Sequence, residues 1–455
     1  MNLSLKKKLL YALGQFGLVL SAYGAGKLFV SFFVTRGFYG EPSYPVYLYP
    51  GYILGFFTVA GLILALNRLV DAGAGLWFGY KSDANQMKKG RRTGLMIFSA
   101  APLALSSVLI FCPPSAGSFF VNSAYVLALT VVFYICLSMY SIPYIALLAE
   151  IGASPRDRVQ ISTMLAFATG LASLCGNRIF YLADLLTANT GLSPVTVFRV
   201  IIAVYAAVSF LCMMVPARRI NEKRLGPDEP VKGGFGESIS AVFKDSYFRH
   251  YFVADIMYRT ASAITMTGYS LFVTKLLGLT VRDAGFFVLL IFFIGILLYA
   301  PVYGLVGKFG KRKLLFSAFL MLMVALTMTA FAGRFAIDPW VQGIALSAMI
   351  AIPVAVFAVI PNALVADLAV VHERKTGQRR AGLYFGLYSL SEKVGQMTTA
   401  IAFPSLVAIG GADQGITRWG LRATLAVAAV MSLTGFFFLF GYREKEVSAI
   451  VERND

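Results

Sequence analysis

Charge is what this sequence has least of. Asp, Glu, Lys and Arg make up 14% of its 455 residues, where a soluble chain carries about a quarter. With 58% hydrophobic residues and a mean hydropathy of +0.73, that scarcity excludes an ordinary water-soluble domain. Histidine is rarer still: His250 and His372 are the only two, both near predicted loops, so a histidine proton relay through a membrane is not expected. Cys112, Cys136, Cys175 and Cys212 fall inside apolar stretches without ligand spacing, which argues against a disulfide framework and a zinc site. The apolar runs hold no paired acids or histidines at ligand spacing and no nucleophile beside a base. An intramembrane enzyme is therefore not expected, nor any metal or cofactor. A cleavable leader is not expected either. Lys6, Lys7 and Lys8 precede a long apolar run with no small-residue cleavage site, so the first span should remain in place.

What is there is apolar and aromatic, with 38 Phe and 23 Tyr, a composition suited to lipid-facing surfaces and interfacial belts. A span needs about 20 apolar residues, and the runs place spans near 9–34, 51–79, 93–113, 121–147, 161–183, 195–216, 250–276, 283–306, 314–334, 338–366, 383–409 and 418–441. The expectation is an all-α membrane protein. The net charge of +18 could suggest nucleic acid, but its placement does not. With the N-terminus in the cytoplasm, cytoplasmic segments hold 28 of the 40 Lys and Arg, among them Lys81, Lys88, Lys89, Arg218, Arg219, Lys223 and Arg224. The outer loops hold Arg36, Lys275, Arg282, Arg334, Arg418 and Arg422. This asymmetry orients both termini inward and needs no nucleic-acid partner.

One long polar connection, from about Pro216 to Arg249, divides the chain into six spans and six; its stretch from Phe235 to Lys244 reads as a short interfacial helix. The expected organisation is a bundle over 1–216, a linker over 217–249, a second bundle over 250–442 and a tail over 443–455. The halves resemble each other. Ile142-Pro143 leads to Glu150, and Ile360-Pro361 leads to Asp367. The run from Gly79 to Gly90-Arg91-Arg92 matches that from Gly304 to Gly310-Lys311-Arg312-Lys313. Both pairings are offset by about 220 residues, as two parallel six-helix repeats of a major facilitator fold would be.

Six cations fall within predicted spans: Lys27, Arg68, Arg178, Arg199, Arg259 and Lys393. Each costs roughly 2.5–3.5 kcal/mol at mid-bilayer on insertion scales, so each needs a reason. Lys27, Arg178 and Arg199 lie near outer ends, where they can snorkel. Asp255 and Arg259, four apart, suit a self-neutralising pair. Arg68 and Asp71, three apart, suit either a local ion pair or a site. Lys393 is harder to neutralise locally, because Glu392 beside it points about 100° away. A mid-span lysine that needs a partner from another helix or an anionic ligand marks a site.

Asn67-Arg68-Leu69-Val70-Asp71 leading into Gly79-Tyr80-Lys81-Ser82-Asp83 and Gly90-Arg91-Arg92 resembles the second span and loop of the glycoside–pentoside–hexuronide:cation symporters. Ser141-Ile142-Pro143-Tyr144 is similar to their fourth span. The run Lys375-Thr376-Gly377-Gln378-Arg379-Arg380-Ala381-Gly382-Leu383 to Lys393-Val394-Gly395 is similar to their tenth-to-eleventh segment, and Tyr11-Ala12-Leu13-Gly14-Gln15-Phe16-Gly17 to their start. The melibiose permease and lysolipid symporter branches share this pattern. The resemblance implies twelve transmembrane helices in the major facilitator fold, with cation coupling at Asp71 and Ser138. Gly75 stands where melibiose permease-like members carry a second acid, with Ala74 beside it. One carboxylate makes a poor sodium cage, since hard cations want several oxygens, which favours a coupling proton over sodium. At the family's sugar-contact positions this chain has Val19, Ser141, Ile145 and Ala166 in place of two acids, a tryptophan and an arginine, while the eleventh-span lysine survives as Lys393.

An apolar wall with one positive point suits an anionic amphiphile. The leading expectation is accordingly a monomeric secondary transporter of the bacterial inner membrane, bathed in lipid and moving a lipid or lysolipid-like solute by alternating access. The alternative is a cation-coupled symporter of a glycoside or related sugar, and a non-transporting receptor is less favoured. Lys393, Arg68, Val19, Ser141 and Ile145 would face the substrate, with Lys393 able to approach Asp71 between the halves. Asp83, Arg91, Arg92, Glu150, Asp367, Arg379 and Arg380 would latch the cytoplasmic side, Asp83 pairing with Arg91 or Arg92.

Overall fold

A computed structural model describes residues 4–33, 45–49, 52–53, 57–84, 90–114, 118–220, 233–409 and 416–452. Arg36, Pro50, Lys88, Lys89, Lys223 and Arg224 lie outside the described residues, as does the side chain of Lys27. The chain divides into two compact units, Met1–Ile151 with Phe167–Lys232, and Gly152–Ala166 with Gly233–Asp455.

In the first unit α1 (Leu5–Tyr23) runs through a π turn, Gly24–Leu28, into α2 (Phe29–Phe33). A two-residue ribbon of β1 (Tyr52–Ile53) and β2 (Phe57–Thr58) precedes α3 (Val59–Ala84), α4 (Thr93–Leu109) and α5 (Phe119–Ile151). Helix α6 (Pro155–Asn177) supplies residues to both units, and α7 (Ile179–Thr190) and α8 (Pro194–Arg219) complete the first. In the second unit α9 (Phe235–Lys244) leads to α10 (Ser246–Leu271), α11 (Val281–Phe309), α12 (Lys311–Ala330) and α13 (Pro339–Thr376). Then come α14 (Ala381–Val407), α15 (Arg418–Phe438) and α16 (Glu444–Glu452).

Helix pairing follows one scheme in both units. In the first, α1 packs on α8, α3 on α5, and α4 on both α5 and α8; in the second, α10 packs on α15, α11 on α13, and α12 on both α13 and α15. Helices in lipid gain little from hydrophobicity alone and associate through close backbone approach at small residues. Gly14 and Gly17 of α1 show this directly. A Cβ on Gly17 would stand 2.6 Å from the Ser209 carbonyl oxygen of α8, and one on Gly14 would meet the Tyr144 ring of α5. Tyr11 and Tyr144 then bolt α1 to α5, each hydroxyl donating to the other's carbonyl oxygen at 2.6 Å, with their rings stacked. Outward-facing Phe98, Leu105, Leu211, Phe293, Leu297 and Ile401 are exposed, as a hydrocarbon solvent permits.

Among the described residues eight helices are long and apolar enough to cross a membrane by length and composition. The other four expected spans are helical but fall short: the first is divided between α1, the π turn and α2, α4 is only 17 residues long, and α10 and α14 carry Asp255, Arg259, Glu392 and Lys393.

Several boundaries differ from the sequence reading. The second span starts at Val59 instead of near residue 51, because the Thr58 hydroxyl accepts from Gly61 N–H at 3.1 Å and caps the helix there. The fifth is broken at Arg178, where a tightened turn, Arg178 N–H to Cys175 O at 3.1 Å, separates α6 from α7. Helix α13 runs ten residues past the expected 366. Its ends are well specified, with Asp338 accepting from Trp340 and Val341 N–H at 2.9 and 3.2 Å and Gly377 closing it at φ 69°. At 38 residues it is about 57 Å long, well beyond the roughly 30 Å hydrocarbon layer. Helix α9 occupies the stretch expected of an interfacial helix, whereas α16 was not anticipated.

Candidate functional site

Asp71 lies midway along α3, 7% exposed. Its Oδ1 accepts a hydrogen bond from Ser138 Oγ of α5 at 2.8 Å. Sequence and structure thus place the two coupling candidates together. One turn earlier on the same face is Asn67, 1% exposed, whose amide oxygen and nitrogen have no hydrogen-bond partner among the described residues. A buried amide left so costs on the order of 1–3 kcal/mol, which a bound cation or water would relieve. Gly75 continues that face, also buried. Arg68, three residues before Asp71, is half-buried. On α5, Ser138, Ser141 and Ile145 form one stripe at helical spacing, the last two half-buried. Val19 of α1 is half-buried one turn beyond Gln15, which donates to Thr169 Oγ1 at 3.1 Å.

In the second unit Lys393 sits midway along α14, 7% exposed, while the side chain of its neighbour Glu392 is 54% exposed. The 100° between successive helical positions produces that contrast. Asp255 and Arg259 of α10 make the expected pair, Nε to Oδ2 at 2.8 Å. Arg199 of the first unit hydrogen-bonds the Phe111 carbonyl at 2.8 Å, which accounts for its charge locally.

The latch candidates sort into two similar clusters. In the first unit Arg92, fully buried, reaches Asp83 and Glu150, both at 3.1 Å, and Arg91 also pairs with Glu150. In the second unit Asp367 takes Lys311 on one oxygen and Arg158 on the other, the latter at 2.7 Å. Glu150 with Arg91, and Asp367 with Lys311, are the offset-related partners that the repeat implies. Arg379 and Arg380 do not join Asp367. Arg379 pairs with Glu373 at 2.7 Å, and Arg380 donates to Gln378 and to the Ser238 carbonyl at 3.2 Å. They follow the turn at Gly377 that ends α13, and Arg379 reaches back only to Glu373 in the last turn of that helix.

Arg158 and Lys311 were not expected as partners of Asp367, although Lys311 stands in the repeated run after Gly310. Glu444 was not expected either. That carboxylate accepts from the backbone N–H groups of Lys311 and Arg312 at 2.6 and 2.9 Å, and so caps α12 from a distant segment. The available signal was Val447 and Val451 four apart behind two acids, the pattern of a short amphipathic helix. Glu446 beside it is held below its ordinary acidity range, first by the Tyr247 hydroxyl and then by Arg443. A cavity of about 700 Å³ opens between Pro155, Arg156, Tyr303, Lys308, Glu444 and Ser448, and none of the substrate candidates lines it. Among the described residues no cluster of three or more His, Cys, Asp or Glu could hold a metal ion.

Residues 44–411 match the family model described as MFS/sugar transport protein. A curated relative, the glucuronide carrier protein homolog of Escherichia coli (strain K12), is 24% identical over 351 residues, 74% of this chain and 73% of that protein. Among solved structures, an E. coli fucose:proton symporter variant aligns with TM-score 0.68 at 14% identity, over 96% of this chain and 98% of that one. A bacterial homologue of the iron transporter ferroportin aligns at 0.70 and 12% identity, covering 97% and 99%. The proton:xylose symporter XylE, bound to 6-bromo-6-deoxy-D-glucose, aligns at 0.65 and 15%, covering 98% of each. These structural likenesses carry the fold. Together with the motifs and the paired helix scheme, the family match identifies the chain as an integral, multi-pass secondary transporter, not an enzyme: it belongs to the glycoside–pentoside–hexuronide:cation symporter family of the major facilitator superfamily.

Proposed function

We propose that the protein is a cation-coupled symporter of a glycoside or related sugar in the bacterial inner membrane, both termini cytoplasmic, and working as a monomer among lipids. The observation that carries this is the sugar-transport family match across most of the chain, joined to a buried Asp71–Ser138 pair at mid-helix. The amphiphile expected from the sequence draws no support from the relatives. The residues behind it, Lys393 and, in the other unit, Val19, Ser141 and Ile145, suit equally a sugar that carries a negative group, such as the glucuronide named for the E. coli relative. In this reading Lys393 takes the negative group of the substrate, and Asp71 takes the coupling ion. The clusters around Arg92 and Asp367 hold the cytoplasmic side between turnovers.

Lack of a second acid at Gly75 favours a proton as that ion. Asn67 favours a second reading: its unpartnered amide oxygen joins the Asp71 carboxylate and Ser138 hydroxyl as a third oxygen donor, which improves the site for sodium. Uptake of a radiolabelled glycoside into proteoliposomes tests the proposal. An imposed pH or sodium gradient should drive accumulation, and Asp71→Asn should abolish accumulation while sparing counterflow. Gradient-driven uptake that survives Asp71→Asn would refute the assignment, and stimulation by sodium but not by a pH gradient would decide between the ions.

A further inference from the structure

We propose that Arg259 is a second substrate contact, one that selects for a carboxylate on the sugar, and that Glu392 is the internal carboxylate displaced when such a substrate binds. This rests on the sugar-symporter reading above and deepens it.

Arg259 lies midway along α10, where a guanidinium must be neutralised. Its two anionic partners are held very differently. Asp255 is 1% exposed; its Oδ2 accepts from Arg259 Nε at 2.8 Å and from the Ser391 hydroxyl, and Tyr251 donates to its Oδ1 at 3.4 Å. That carboxylate is fixed on every side. Glu392 accepts from Arg259 Nη1 at 3.0 Å, yet its side chain is 54% exposed, and its other anchor is Gln396 at 3.3 Å, one turn along α14. One carboxylate is enough to neutralise one guanidinium, so Glu392 is surplus to the requirement that Asp255 meets. A mid-span carboxylate with half its surface open does not face hydrocarbon, since that costs several kcal/mol. It faces polar space that a solute can enter.

A solute carboxylate arriving there meets the outer edge of the guanidinium. Nη1 becomes available as Glu392 turns toward Gln396, and Nη2 has no hydrogen-bond partner among the described residues. Together they offer the two-nitrogen fork that binds a carboxylate bidentately. The Tyr388 ring lies 4.7 Å from the guanidinium carbon and fixes its plane. The exchange swaps one carboxylate for another, so Arg259 is never left bare. A neutral sugar offers only hydroxyl oxygens and cannot displace a charged competitor as well.

The test compares binding of methyl β-D-glucuronide and methyl β-D-glucoside to the purified full-length protein in lipid nanodiscs by isothermal titration. Wild type should prefer the glucuronide, and Arg259→Gln should cut that preference on the order of tenfold, the usual size of a lost charged hydrogen bond. Glu392→Gln should raise glucuronide affinity several-fold, because the internal competitor loses its charge. If Arg259→Gln fails to give monodisperse protein, Glu392→Gln decides alone, since Glu392 is exposed. Equal wild-type affinities, a preference that survives Arg259→Gln, or a Glu392→Gln variant that weakens glucuronide binding would each overturn the proposal while leaving a sugar symporter in place. Binding of neither sugar would overturn the sugar reading and this one with it.

Discussion

Asp367 is the negative centre of the second unit's charge cluster, and replacing it by Asn isolates what the charge does. The carboxylate, Lys311 and Arg158 are 4–5% exposed at their side chains, so none of the three is screened by solvent. Asp367→Asn preserves shape but leaves two cations facing each other without an anion. Removing one partner of a buried pair typically costs about 3–5 kcal/mol, and the repulsion between the stranded cations places this case in the upper part of that range. At a few degrees per kcal/mol for a unit of this size, thermal unfolding of the purified protein should fall by roughly 10 °C. The informative companion is the triple variant Arg158→Met, Lys311→Met, Asp367→Leu. An apolar replacement of a buried ion cluster is often neutral or stabilising, so this variant should recover most of the loss. An Asp367→Asn protein that melts within about 1 °C of wild type, as a surface change would, refutes the reasoning. So does a triple variant as unstable as the single one.

Gly17→Ala should lower the melting temperature by the cost of overpacking, about 1–3 kcal/mol, because its Cβ would press on the Ser209 backbone oxygen; Gly73→Ala, with nothing within 4 Å, should not. Glu444→Ala removes two backbone caps and should cost about 0.5–2 kcal/mol, read as faster hydrogen exchange at the first amides of α12. Glu446 is tied to Tyr247 and Arg443, so its folded pKa lies below its ordinary value of 4.5. Its contribution is complete above that value and fades as pH falls through the lowered one. Melting curves of wild type and Glu446→Gln should therefore differ at pH 6 and converge in strong acid.

Features that depend on residues close in sequence were legible in advance. The Asp255–Arg259 pair follows from a four-residue spacing, and helix α9 from its amphipathic stretch, because each is settled within a turn or two of backbone. The hydrogen bond between Asp71 and Ser138 was legible for another reason: both sit in motifs whose partner positions the family resemblance supplies. What failed was choice among many equivalent long-range partners. Nothing local tells Asp367 to take Lys311 and Arg158 over Arg379 and Arg380, which are nearer in sequence; the packing of α6 and α12 against α13 decides it. The substrate reading met the same limit. Losing family contacts at Val19 and Ile145 was read as room for a lipid, which the relatives do not support, whereas Arg259 was set aside as neutralised by Asp255.

The cap that Glu444 places on α12 has a consequence for how the protein is made. Lys311, Arg312 and Lys313 begin that helix, and positive charge is unfavourable at the positive end of a helix dipole. The group that satisfies its first N–H donors is encoded more than 130 residues later. Helix α12 must therefore enter the membrane and wait, with its opening turn unfinished, while α13, α14 and α15 are synthesised. Only when residue 444 emerges and folds back does the turn close. Chains stalled before that point should carry a frayed α12 start open to proteolysis, a mark by which quality control can tell an incomplete chain from a finished one.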